Sequence, residues 1–124
     1  MRIEQKVFDV LVKEASKSSC KYKFGAVLVD DAGKIVSRGH NIRGVDIWLG
    51  SRPDYMITIH AELHAILGVS KHVLTRSSLY VFRMSRNGTI KPSIPCRRCQ
   101  TILKAAGVRH VTAVLGVDNC LQIW

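Results

Sequence analysis

The segment IHAELHAI, Ile59 to Ile66, sets two histidines and a glutamate into an otherwise apolar run. As an amphipathic helix it would carry no more than a polar stripe. As a site it would offer a metal ligand with a proton carrier beside it. The pattern is not His-Glu-x-x-His, because Glu62 follows His60 by two positions instead of one, so a metalloprotease is excluded on spacing. On a continuous helix His60 and Glu62 would point about 200° apart. At a first turn the constraint relaxes, since a metal beyond the helix end is approached by side chains from several directions.

The second informative stretch is PCRRC, Pro95 to Cys99. Two thiolates separated by two residues at a helix start can grip one soft cation, and a helix N-terminus favours thiolate over thiol. A redox dithiol is the alternative, but no thioredoxin-like arrangement surrounds the pair. Two cysteines are half of a tetrahedral zinc shell, and no second Cys-x-x-Cys is present. His60 can supply the third ligand, leaving the fourth position open as in catalytic zinc sites. Charge balances as well: two thiolates, a neutral imidazole and a divalent cation sum to zero. Water in the open position would ionise near neutral pH, its pKa falling from about 16 to roughly 7. Glu62 would take that proton and pass it on. His64, one turn after His60, is either a packed helix histidine or a fourth ligand that would close the site into a structural module. His40 and His110 read as ordinary strand-end histidines.

The surrounding chain has room for one domain, residues 1–124, and its 47% hydrophobic content is that of a globular protein with a core. No apolar run approaches the ~20 residues of a membrane span. The N-terminal MRIEQKVFDVLVKEA mixes charges with apolar residues, unlike a secretory signal. A cytoplasmic location is therefore expected, with Cys20 and Cys120 reduced and partly buried.

Ile3, Val7, Val10, Leu11 and Ala15 have helical spacing. FGAVLV and KIVSRG flank Asp30-Asp31-Ala32-Gly33 and read as a β-hairpin. Asn41 to Thr58, with Gly44, Gly50 and Pro53, reads as a long functional loop in which Trp48 and Tyr55 either stack on a base or pack on their own domain. A second helix over Ile59–Leu67 stops at Gly68. SLYVFR is a third strand, followed by a basic loop with an Asn87-Gly88 turn. A third helix after Pro95 ends at Gly107 with Ile102, Leu103 and Ala106 inward. HVTAVLGV is a fourth strand and LQIW a short fifth. The order α-β-β-α-β-α-β(-β) predicts a three-layer α-β-α sandwich.

His60-Ala61-Glu62 followed by Pro95-Cys96-Arg97-Arg98-Cys99 resembles the H-x-E…P-C-x-x-C signature of the zinc-dependent cytidine deaminase superfamily. The likeness covers most of the chain, because the element order also matches that fold. It implies that His60, Cys96 and Cys99 bind zinc and that Glu62 shuttles protons. Gly39-His40-Asn41 is similar to the family's Gly-x-Asn, whose asparagine holds the substrate's sugar. Phe24-Gly25-Ala26-Val27 is similar to its first strand. By the same resemblance Asn41, Ala26, Ala61, Pro95 and Phe24 are substrate-pocket residues, and the chain assembles as a homo-oligomer.

CRRCQTILKAAGVRHV resembles the deoxycytidylate-type branch. Gln100-Thr101-Ile102 departs from the Cys-x-Gly-Ala continuation of tRNA adenosine deaminases, and His60 stands where the free-cytidine branch usually has cysteine. Little chain follows the fourth strand, so the family's final helix is missing or very short. The implied reaction is hydrolysis of a cytosine-type base to uracil, on a nucleotide or nucleoside. The net charge of +10 favours phosphate-bearing partners, with Arg43, Arg52, Arg86, Lys91, Arg97 and Arg98 as a rim that would hold one phosphate or track a single strand of DNA or RNA. Aromatic content of only 6% argues against a strand, which needs stacking platforms.

Overall fold

The computed structural model describes residues 3–43 and 58–124. Helix α1 (Gln5–Ala15) leads into β1 (Tyr22–Asp30) and β2 (Ile35–His40). The pairs β3 (Ile42–Arg43) and β4 (Thr58–Ile59) precede α2 (Ala61–Ile66) and a short α3 (Lys71–Leu74). Then come β5 (Ser77–Ser85), β6 (Ile90–Lys91), α4 (Arg97–Ala106), β7 (His110–Gly116) and β8 (Asn119–Gln122).

One sheet runs in the order β2-β1-β5-β7-β8, with β6 attached to β5. β1 is antiparallel to both β2 and β5, whereas β5 and β7 are parallel and are joined by the α4 crossover that parallel pairing requires. Gly25 to Val29 are continuously buried because helices cover both faces of β1. On one face Ile3, Val7, Leu11 and Ala15 of the N-terminal segment pack with Val27, Val29, Phe82 and Val114. On the other, Ala61 and Ala65 of α2 and Leu103 of α4 pack with Ala26, Leu28, Leu79 and Val81. These are the three layers expected.

Two glycines let the helices approach. A Cβ on Gly25 would lie 2.5 Å from the carbonyl oxygen of Leu11 in α1, and one on Gly39 would lie 2.5 Å from the amide nitrogen of Ala65 in α2. The Asp30–Gly33 turn is closed by Asp30 Oδ1, which accepts from the amides of Ala32 (3.0 Å) and Lys34 (2.8 Å).

Some expectations change. Helix α2 is shorter than Ile59–Leu67, and its C-terminal segment turns at Gly68 (φ 79°). Ile102 is 37% exposed, because the inward stripe of α4 is Cys99 and Leu103, four residues apart, and Ile102 falls to one side of it. The loop after β5 is itself a hairpin, with Gly88 at φ 87° between β5 and β6. The last strand begins at Asn119, earlier than LQIW, and the ladder is prolonged by bonds between Val111 and both Ile123 and Trp124. Trp48, Arg52 and Tyr55 lie outside the described residues.

Candidate zinc centre and substrate cavity

His60 is not part of the helix it precedes. It is the extended N-cap residue of α2 (φ −71°, ψ 148°), so the angular conflict with Glu62 expected of a continuous helix does not arise. Cys96 likewise caps α4, where its Sγ accepts from the amide of Cys99 at 3.5 Å. The PCRRC turn is held by Gln100, whose Nε2 donates to the carbonyl of Pro95 at 2.9 Å.

The two helix starts converge. His60 Nδ1 lies 3.1 Å from Cys99 Sγ and 4.0 Å from Cys96 Sγ, and the three donor atoms all fall within 4.8 Å of one another. Zinc–nitrogen and zinc–sulfur bonds of about 2.0–2.1 and 2.3 Å at a tetrahedral angle separate N from S by about 3.6 Å. The two observed separations bracket that value, so the donor set fits zinc in both chemistry and spacing. His64 is not in the cluster. Its Nδ1 lies 3.1 Å from both the amide nitrogen and the carbonyl oxygen of His40, and the two rings meet edge to face, tying α2 to the edge strand.

Glu62 is only 3% exposed, with Oε1 3.8 Å from His60 Nδ1. Burial pushes its pKa up, while its own backbone N–H and the neighbouring His60 pull the other way with less effect. Cys99 is also buried; desolvation, the hydrogen bond with Cys96 and the charge of Glu62 push its thiol up to about 12. A divalent cation reverses that preference by binding the thiolate.

Beside these groups is a cavity of about 360 Å³, lined by residues that include Tyr22, Phe24, Asn41, His60 and Glu62. Asn41 is 6% exposed and clamps the start of β1: Oδ1 accepts from the Phe24 amide and Nδ2 donates to the Tyr22 carbonyl, both at 2.9 Å. Phe24 and Asn41, two of the residues named from sequence, thus lie on the cavity wall. Ala26, Ala61 and Pro95 are buried and are not among its lining residues. Cys20, Lys21 and Tyr22 line it too and were not singled out from sequence. The available signal was alternation, which puts Tyr22 on the same face of β1 as Phe24.

Comparisons with known proteins agree with this arrangement. The family described as the cytidine and deoxycytidylate deaminase zinc-binding region matches residues 1–115. No curated protein matches the chain significantly. Among solved structures, cytidine deaminase from Burkholderia pseudomallei superposes with a TM-score of 0.65 at 18% identity, covering 97% of this chain and 93% of its own. Cytidine deaminase from Mycobacterium tuberculosis gives 0.57 at 18% identity, covering 94% and 89%. The apo dCMP deaminase of cyanophage S-TIM5 gives 0.57 at 22% identity, covering 90% and 84%. With a family match across nearly its whole length and a three-donor zinc cluster in place, the chain belongs to the cytidine and deoxycytidylate deaminase family of zinc-dependent hydrolases.

Proposed function

We propose that the protein hydrolyses the exocyclic amine of a cytosine base carried by a nucleotide, with Glu62 as proton carrier. The observation that carries this reading is a buried carboxylate next to a His-Cys-Cys donor set at the wall of a cavity large enough for a base. Zinc held by His60, Cys96 and Cys99 supplies Lewis-acid activation of a water.

The chain's own groups do the rest. Glu62 accepts the proton of the attacking water and returns it to the ring nitrogen beside the reacting carbon. It then takes the hydroxyl proton of the addition product and hands it to the departing amine, so that water is consumed, ammonia leaves and a carbonyl remains. Burial raises its pKa above the ordinary carboxylate value, which favours a group that holds a proton between transfers. Phe24 and Tyr22 offer apolar and aromatic wall to the base. Asn41 keeps hydrogen-bonding capacity beyond its two backbone partners, enough to meet a sugar hydroxyl. All four cysteines are free, in keeping with a reducing, cytoplasmic setting for thiolate ligands.

A closed four-ligand module is disfavoured, because His64 spends its Nδ1 on the His40 backbone. The test is ammonia release from zinc-loaded protein given cytosine, cytidine, deoxycytidine monophosphate, adenosine and single-stranded oligonucleotides. Glu62→Gln should retain zinc and fold while losing roughly 10²–10⁴-fold in turnover. Normal turnover in that variant, or no ammonia from any cytosine substrate, would sink the reading.

A further inference from the structure

Next to the base-sized cavity lies a larger one, about 680 Å³ against 360 Å³, and the two share Lys21 and Tyr22. The sheet register explains why they are continuous. Residues directly opposite each other on antiparallel strands project to one face, as do positions two apart on one strand. Ala26 faces Val81, Phe24 faces Arg83 and Tyr22 faces Ser85, while Arg83 faces Lys91 on β6. A single lane therefore runs outward from beneath α2, past Phe24, to Tyr22 and the β5–β6 hairpin.

That lane ends among cations. Lys21, Arg86 and Lys91 line the outer groove, and no Asp or Glu is among its described lining residues. Arg83 belongs to the same lane, its guanidinium 4.4 Å from the Tyr22 ring and 5.4 Å from that of Phe24. Among the described residues its Nε is buried with no hydrogen-bond partner. The hairpin is firm: Ser85 Oγ bonds to Asn87 Oδ1, which also accepts from the Thr89 hydroxyl at 3.0 Å, and the Ser85 amide bonds to the Thr89 carbonyl at 2.8 Å. Like charges gathered on a stiff frame repel unless an anion joins them, and the side-chain amide nitrogen of Asn87, whose oxygen serves the hairpin, is a further donor beside them.

We infer that this outer groove binds phosphate groups that the substrate carries beyond the base held at Glu62. The inference rests on the proposed deaminase reading. Two sources share this chemistry: the polyphosphate tail of a mononucleotide, and the phosphodiesters of a short single strand.

The experiment compares kcat/KM for cytidine, deoxycytidine monophosphate, deoxycytidine triphosphate and a single-stranded oligonucleotide with one central cytosine. Zinc-loaded wild-type protein is set against the Arg86→Ala/Lys91→Ala double variant, with thermal unfolding as a check on fold. At least one phosphate-extended substrate should exceed cytidine tenfold or more, and the double variant should cut that ratio about tenfold. An advantage confined to the triphosphate assigns the polyphosphate tail. A strand touching Lys21, Arg86 and Lys91 should lose about 20-fold in affinity between 50 and 200 mM salt, and about threefold in the double variant, at a slope of about 0.7 per contact. No advantage for either extended substrate, or a ratio untouched by the double variant, overturns the groove. If no substrate releases ammonia, the deaminase reading falls. The groove is then judged by equilibrium binding of the triphosphate and the oligonucleotide, which must weaken in the double variant or the inference fails.

Discussion

Gly39→Ala should damage the active site from the edge of the sheet by adding a single methyl group. Its Cβ would stand 2.5 Å from the Ala65 amide nitrogen, 2.7 Å from the Ala61 carbonyl oxygen and 2.9 Å from the His64 carbonyl carbon. All three are backbone atoms of α2, so no side chain can swing aside. Gly39 does not have a positive φ, and the effect is purely steric. To restore an ordinary contact of about 3.5 Å, helix and strand must part by about 1 Å. Helix α2 is only six residues long and cannot hold its place alone. It is tied to β2 by the Ser37 hydroxyl, which donates to the Ala65 carbonyl, and by His64 at the His40 backbone. The same displacement would carry Glu62 and His60 with it.

A misplacement of about 1 Å can cost roughly 10² in rate, and overpacking costs about 1–3 kcal/mol. Gly25→Ala is the matched control. Its Cβ meets the Leu11 carbonyl at 2.5 Å and the Ala15 amide nitrogen at 3.0 Å, but on the opposite face, against α1. Deamination assays well below the melting temperature, paired with thermal unfolding, separate the two effects. Both variants should lose several degrees of Tm, whereas only Gly39→Ala should lose about 100-fold in kcat/KM. Equal losses of activity, or full activity in Gly39→Ala, would refute the link between strand approach and site geometry.

Three other outcomes are expected. Chelating the metal should lower Tm, by an amount equivalent to about 4 kcal/mol if free zinc stood at a thousand times its Kd. Excess zinc should restore it in differential scanning measurements, and an unchanged Tm would mean that no metal joins α2 to α4. Asn41→Ala should raise KM and also destabilise, by about 1–3 kcal/mol, because the Phe24 amide and Tyr22 carbonyl both lose a buried partner; a KM shift with unaltered Tm would contradict the clamp. Burial pushes Glu14 up, but the hydrogen bond with His40 and the ion pair with Lys17 at 2.9 Å outweigh it and hold the carboxyl below its ordinary value of 4.5. A depressed folded-state pKa stabilises above the unfolded value and loses that contribution as pH falls through the folded one. The Tm gap between wild type and Glu14→Gln should therefore persist from pH 7 to about 5 and close in stronger acid; a gap that widens in acid would reverse the assignment.

How much of this was legible beforehand follows from the range of the forces involved. Helix and strand identities came through because burial on both faces of β1 and the one-sided stripe of α1 leave local periodic traces. The zinc donors came through because Cys96 and Cys99 are three positions apart and His60 has a glutamate two positions away. What did not come through depends on pairing across the sheet. Nothing local says that Tyr22 would stand opposite Ser85, or that Arg83 would lie between two aromatic rings. The sequence puts Arg86 and Lys91 in a cationic rim, but only the hairpin folded at Asn87-Gly88 brings them to the start of β1. Asn41 shows the same limit in one residue. Its motif pointed to a ligand, while its two backbone bonds also make it a fastener of the strand that forms the cavity wall. A residue that holds its own wall cannot be assigned to binding or to stability alone, which is why its substitution must be read in KM and Tm together.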